Sequence, residues 1–150
     1  MLGTLTPTQI DHLLHTEVIG RIGCHADGST YVVPITFAYE DGCVYGHSGV
    51  GRKIEVMRKN PEVCFEVEHV DTLANWQSVV ADGTFEELHG TDAAHGMKVL
   101  VDRLMPLMAA EANVPTHGAP AGTHRADTKG VEAVIYRIHL HNPAGRYEAR

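Results

Sequence analysis

The clearest periodic stretch of the chain is Glu62–Glu68, where Val63, Phe65 and Val67 alternate with Glu62, Glu66 and Glu68. A two-residue period puts the apolar set on one face, which predicts a half-buried antiparallel strand. The same reading predicts strands over 18–24, 31–39, 43–47 and 76–88. A last one spans 131–141, with Val134, Tyr136, Ile138 and Leu140 on one face. Ala26-Asp27-Gly28-Ser29 and Glu40-Asp41-Gly42 lie between strands as hairpin turns. Elsewhere the period is helical. Thr6 as N-cap, Pro7 at the first helical position and Gln9 three after the cap open a short helix over 7–15. Ile10, Leu13 and Leu14 form its apolar face. A second helix over 52–59 ends at Asn60-Pro61, because proline cannot continue it. Thr91-Asp92 begins a third, carrying Met97, Leu100, Val101 and Leu104, which Pro106 is expected to break or restart. Residues 113–130, rich in Gly, Pro and Ala, read as a loop long enough to be functional or disordered.

Six strands joined mostly by hairpins, with helices outside, predict a mainly β (α+β) barrel; the absence of β-α-β alternation argues against a doubly wound sheet. At 150 residues a single domain, 1–150, is expected. No apolar run is long enough to span a bilayer, so no membrane partner is expected. The start, MLGTLTPTQIDHLL, lacks the basic and apolar regions of a signal peptide, which favours the cytoplasm. A net charge of −7 with scattered lysines and arginines argues against nucleic acid as the main partner and leaves room for a small anion held locally. The three cysteines form no Cys-x-x-Cys, so neither a disulfide framework nor a zinc knuckle is expected. Each sits in a strand-like stretch, where Cys most often serves as a small buried hydrophobe.

The candidate chemistry lies where the third strand runs out into His47-Ser48-Gly49-Val50-Gly51-Arg52-Lys53. This places a hydroxyl, two glycines and two cations at a helix N-terminus, where unpaired N–H groups and the helix dipole favour an anion. Arg52 offers a bidentate fork to phosphate and Lys53 a movable point charge. The competing reading is a solvated helix face with turn glycines beside it. Neither a P-loop nor a Gly-x-Gly-x-x-Gly after a strand occurs. His47 sits beside this loop and is the candidate for a titrating group, or else a strand-end His packed on Tyr45. His12/His15 and His139/His141 each share a face, but with no third ligand no metal is expected.

The ordered pieces Gly20-Arg21-Ile22-Gly23, Val32-Val33-Pro34-Ile35-Thr36-Phe37, Val44-Tyr45-Gly46-His47-Ser48, Gly51-Arg52-Lys53-Ile54, Asn60-Pro61-Glu62-Val63-Cys64-Phe65 and Trp76-x-Ser78-Val79-Val80-x-x-Gly83 cover roughly residues 5–90. A weaker match follows over 131–147. Together they resemble the split β-barrels that bind flavin mononucleotide (FMN), the pyridoxamine 5′-phosphate oxidase superfamily, and within it the nitroimidazole-resistance (NimA-like) proteins.

The resemblance implies a six-stranded antiparallel split barrel with short flanking helices, FMN as cofactor, and a homodimer with flavin at the subunit interface. It implies that Arg52 and Lys53 bind the flavin phosphate, with Ser48 and His47 beside them. Val33, Pro34, Ile35 and Thr36 would run along the flavin, and Trp76, Ser78 and Val79 would close over it from the other side. Ser78 stands where the oxidase carries an amide, and the oxidase's closing motif is missing, so pyridoxamine oxidation is not expected. A small reducible substrate such as a nitroaromatic is. The alternative is a flavin- or haem-binding module without turnover, with His47 or His117 as axial ligands. The long loop is expected to border the site as a lid, bringing His117 or His124 to the substrate.

Overall fold

The computed structural model describes residues 1–112 and 133–150. The loop expected over 113–130, with His117 and His124, lies outside the described residues. In chain order the elements are β1 (Leu2–Thr4), α1 (Pro7–Thr16), β2 (Ile19–Ala26), β3 (Ser29–Thr36), β4 (Ala38–Glu40), β5 (Cys43–Gly49), α2 (Arg52–Lys59), β6 (Glu62–Thr72), β7 (Asn75–Glu87), α3 (Gly90–Glu111) and β8 (Ala133–Glu148).

All strand pairs are antiparallel, in the order β3-β2-β6-β7-β8-β5-β4, with β1 added to the C-terminal end of β8. β3 and β4 stand at opposite ends of this sheet, yet only Phe37 separates Thr36 from Ala38. The sheet must therefore curl until its ends meet at one corner without pairing, which is a split barrel. Inside lie Leu14, Ile22, Phe37, Val44, Phe65, Val67 and Tyr136, all buried. Phe37 and Phe65 meet edge to face at 5.0 Å. Gly46 lies opposite Tyr136, and a Cβ at 46 would fall 2.3 Å from that ring, so this site takes glycine for room.

The helices cover the outside. α1 opens with the expected capping box: the Gln9 amide donates to Thr6 Oγ1, and the Thr6 amide donates to Gln9 Oε1. Its apolar face of Ile10, Leu13 and Leu14 is buried. α2 lies on β2 through Ile54 and Met57, both fully buried. α3 closes a smaller apolar cluster of Ala38, Cys43, Tyr45, Leu88 and Leu100. No described helix is long and apolar enough to cross a membrane.

Four expectations need correction. The sheet has eight strands rather than six, because the segment read as one strand over 31–39 divides at Phe37 and a three-residue β1 pairs with Arg146–Glu148. Phe37 and Ala38 are both buried, which breaks the alternation, and the Phe37 amide donates to Val18 O at 2.8 Å as the chain changes neighbours. β8 continues past 141, with Asn142 at a left-handed φ of 49°, because β7 and β1 supply partners beyond it. The third helix is not short and does not break at Pro106. It spans Gly90–Glu111, since a proline removes one donor and bends a helix without forbidding one whose earlier turns are packed through Gly96 and Leu100.

Candidate functional site

The start of α2 is built as expected from the sequence, and its surroundings show why it is unusual. Gly51 occupies the N-cap position and supplies no side-chain cap, so the first amides of the helix have no side-chain acceptor there. Arg52 is exposed, stacked 4.3 Å over the Tyr31 ring, and its Nη2 donates to Ser29 Oγ at 3.3 Å. Lys53 is half-buried, and this burial holds its ammonium below the usual lysine range. Among the described residues no carboxylate pairs with it. The Ser48 hydroxyl donates to Gly49 O at 2.6 Å. The hydroxyl can turn to another acceptor, since its present bond is to its own neighbour.

Among the described residues β3 is an edge strand, paired with β2 alone. Its alternation splits the four residues expected along the flavin. Val33 and Ile35 turn toward the core, while Pro34 and Thr36 are exposed on the other face. Pro34, which has no N–H, is thus confined to an edge, as strand chemistry requires. Across the split corner, Thr36 shares an apolar groove of about 200 Å³ with the exposed His47 and with Met97, Leu104, Met105 and Met108 of α3.

The β7 residues lie elsewhere. Trp76 is half-buried in a cavity of about 570 Å³ that also takes in His12, Glu17, His69 and Tyr147. His69 there bridges Asp71 at 2.9 Å and Glu17 at 2.7 Å, and hydrogen bonds to these two carboxylates raise its pKa. Val79 is fully buried in the main core, so its side chain reaches no cavity. Ser78 is half-buried between Glu68 and Arg146 in the ladder. On β6, Trp76 pairs with Val70, six residues beyond the Cys64 that pairs with Gly23 of β2, the strand under α2. At about 3.3 Å per residue that is roughly 20 Å along the strand.

One chain therefore sets Arg52 and Lys53 on the first turn of α2, shortly after Ser48 of β5 in sequence, places Thr36 and His47 at a second locus, and holds Trp76 and Ser78 on β7. Sequence reasoning missed Tyr31 and Ser29 under Arg52. The period-2 pattern put Tyr31 on the same face as Val33, which was the available signal. It also missed the methionine face of α3, because a proline at 106 predicts a break or restart in that helix. Of the paired histidines, His139 is hydrogen-bonded to Glu86 and His141 to Thr84.

Residues 6–146 match the family model described as pyridoxamine 5′-phosphate oxidase. An uncharacterised protein of Rhizobium meliloti is 35% identical over 81 residues, and that match spans 54% of each chain, so the chain covers about half the length of this curated relative. Among solved structures, a FAD-binding protein from Mesorhizobium loti is 28% identical, with a TM-score of 0.79 over 99% of both chains. A candidate 5-nitroimidazole antibiotic resistance protein from Bacteroides thetaiotaomicron shares the fold at a TM-score of 0.68 and 18% identity, covering 98% of this chain and 89% of its own. With nearly its whole length matched and the split sheet in place, the chain belongs to the pyridoxamine 5′-phosphate oxidase family.

Proposed function

We propose that this protein binds FMN as a homodimer and acts as an oxidoreductase on a small reducible molecule such as a nitroaromatic. The observation that carries the reading is Lys53: a half-buried ammonium without a counter-ion among the described residues, beside Arg52, at a helix N-terminus lacking a side-chain cap. A cation left in this state is unfavourable unless an anion joins it. A flavin phosphate supplies that anion, so the residues present fit the group. Bound flavin supplies hydride or electron transfer, and the protein supplies binding, orientation and exclusion of water.

In this reading Arg52 and Lys53 hold the phosphate, with Ser48 as a further donor. The exposed edge of β3, through Pro34 and Thr36, borders the ring. Val33 and Ile35 act through their backbone, and Val79 supports from the core. The apolar groove between His47 and the α3 methionines suits an aromatic substrate, with His47 as its polar group. Trp76 and Ser78 stand too far from Lys53 along the sheet for one chain to close both around one ring, which supports a second copy supplying them. Light scattering that returned a single 16.3 kDa mass with flavin bound would contradict the dimer. The FAD binding of the Mesorhizobium loti protein is compatible with the same phosphate anchor.

The central test is the Arg52→Ala/Lys53→Ala variant. Two charge-assisted hydrogen-bonding groups of about 1.5–3 kcal/mol each are at stake, so FMN affinity should fall about a hundredfold or more. Riboflavin, lacking the phosphate, should bind variant and wild type alike. Unchanged FMN affinity would sink the site; titration against FAD in parallel distinguishes the two flavins.

A further inference from the structure

On the face of β7, β8 and β5 that carries the smaller apolar cluster, to which Cys43 belongs, four side chains form a relay. Cys43 and His139 are directly opposed in the β5–β8 ladder, with Sγ 3.4 Å from His139 Nδ1. His139 Nε2 lies 2.5 Å from Glu86 Oε2. Glu86 is in turn gripped by Arg137, whose Nε and Nη2 donate to its two oxygens at 3.0 and 3.1 Å. The order is thiol, imidazole, carboxylate, guanidinium.

The tautomer follows from the partners. Glu86 is held by Arg137 as an ionised acceptor, and its pKa lies below the usual carboxylate range chiefly through that hydrogen bond. It can only accept, so His139 must carry its proton on Nε2. In the neutral imidazole Nδ1 is then bare and faces the thiol as a base. A nucleophile in reach of a base, with the base oriented by a third group, is the arrangement that activates a sulfur.

We propose that Cys43 is a base-assisted reactive thiol that hydrogen peroxide oxidises to a sulfenic acid, with His139 as proton acceptor and Glu86 as the residue positioning it. The sulfur attacks one peroxide oxygen, so the S–O bond forms as the O–O bond breaks. Sulfur gives up two electrons. The thiol proton passes to His139 Nδ1 and then to the departing hydroxide, which leaves as water. Burial pushes the Cys43 thiol up, with Arg137 pulling the other way, so the resting group is the neutral thiol and the base acts during reaction. Cys43 itself is only 8% exposed, but His139 is 39% exposed at its side chain and marks the approach for a molecule as small as peroxide. This site is independent of flavin, and its success or failure leaves the phosphate site untouched.

The other cysteines are built-in references. Cys24 is also buried, at 3% exposure, and has no hydrogen-bonded imidazole among the described residues, while Cys64 is exposed. The full-length protein is treated with hydrogen peroxide and dimedone, and each cysteine is followed by peptide mass spectrometry. Cys43 should be labelled about tenfold or more faster than Cys24. His139→Gln should slow Cys43 by a similar factor, and Glu86→Gln by less, with the rates at Cys24 and Cys64 unchanged. Labelling of Cys43 no faster than Cys24, or a Cys43 rate untouched by His139→Gln, overturns the proposal. If a variant unfolds, all three cysteines rise together, and the wild-type comparison of Cys43 with Cys24 decides alone.

Discussion

Helix α2 carries an Arg-Lys pair at each end, and the two pairs are in opposite electrostatic situations. At the C-terminal end, Arg58 grips Glu87 through Nε and Nη2 at 2.9 and 2.7 Å, and Lys59 meets Asp27 at 2.8 Å. There the helix dipole welcomes cations, and each charge has a carboxylate. At the N-terminal end the dipole opposes cations, Arg52 rests on a tyrosine ring and a serine hydroxyl, and Lys53 has no acidic partner among the described residues. The dipeptide is the same. One copy is satisfied by carboxylates of its own chain, and the other meets none among the described residues, which is the state the proposed phosphate site uses. Neighbours, rather than residue type, separate a structural charge from a binding one.

The sharpest break in this comparison is the mirror of the double variant. Removing Arg52 and Lys53 should cost about a hundredfold in FMN affinity, whereas Arg58→Ala/Lys59→Ala should leave FMN affinity within about twofold. Equal losses from both ends, measured by fluorescence titration, would mean that the helix acts only through its net charge.

The next effect is a pH dependence. The folded Lys53 pKa is lowered by burial, so without ligand the unfolded chain holds this proton more tightly, and this residue's contribution to stability rises with pH through that window. A phosphate needs the charged form. FMN affinity should therefore fall as pH rises from just below the usual lysine range, by up to about tenfold per pH unit. Lys53→Met should flatten the profile, and a wild-type profile that is already flat rules Lys53 out as a phosphate ligand.

The smallest effect is at the satisfied end. Hydrogen bonds from Arg58 hold the Glu87 carboxyl below its ordinary range. Stability from a depressed carboxylate is present above its unfolded pKa and lost as pH falls through the folded one. Arg58→Ala should thus cost about 0.2–1 kcal/mol at neutral pH, and the gap to wild type should close in acid. Denaturant unfolding at the two pH values checks this, and a gap that persists in acid would assign the loss to packing.

Much of this molecule follows from local chemistry. The capping box at Thr6, the turns at Asp27-Gly28 and Asp41-Gly42 with their positive φ, the span of α2 and the buried face of Val63, Phe65 and Val67 each depend on residues close in sequence. The Arg52-Lys53 locus was legible for the same reason, since a helix start and its cations are adjacent. Tertiary structure alone decided three things. It divided the apolar run 31–39 at Phe37, where the chain leaves one edge of the sheet for the other. It carried α3 through Pro106 and β8 through Asn142, because partners distant in sequence hold the flanking turns and strands. And it set Cys43 against His139, ninety-six residues apart, while leaving Lys53 without an acid among the described residues. Periodicity and turn chemistry report which face is buried, but which charge meets which partner depends on ladder register and chain closure, and these involve residues that no short window contains.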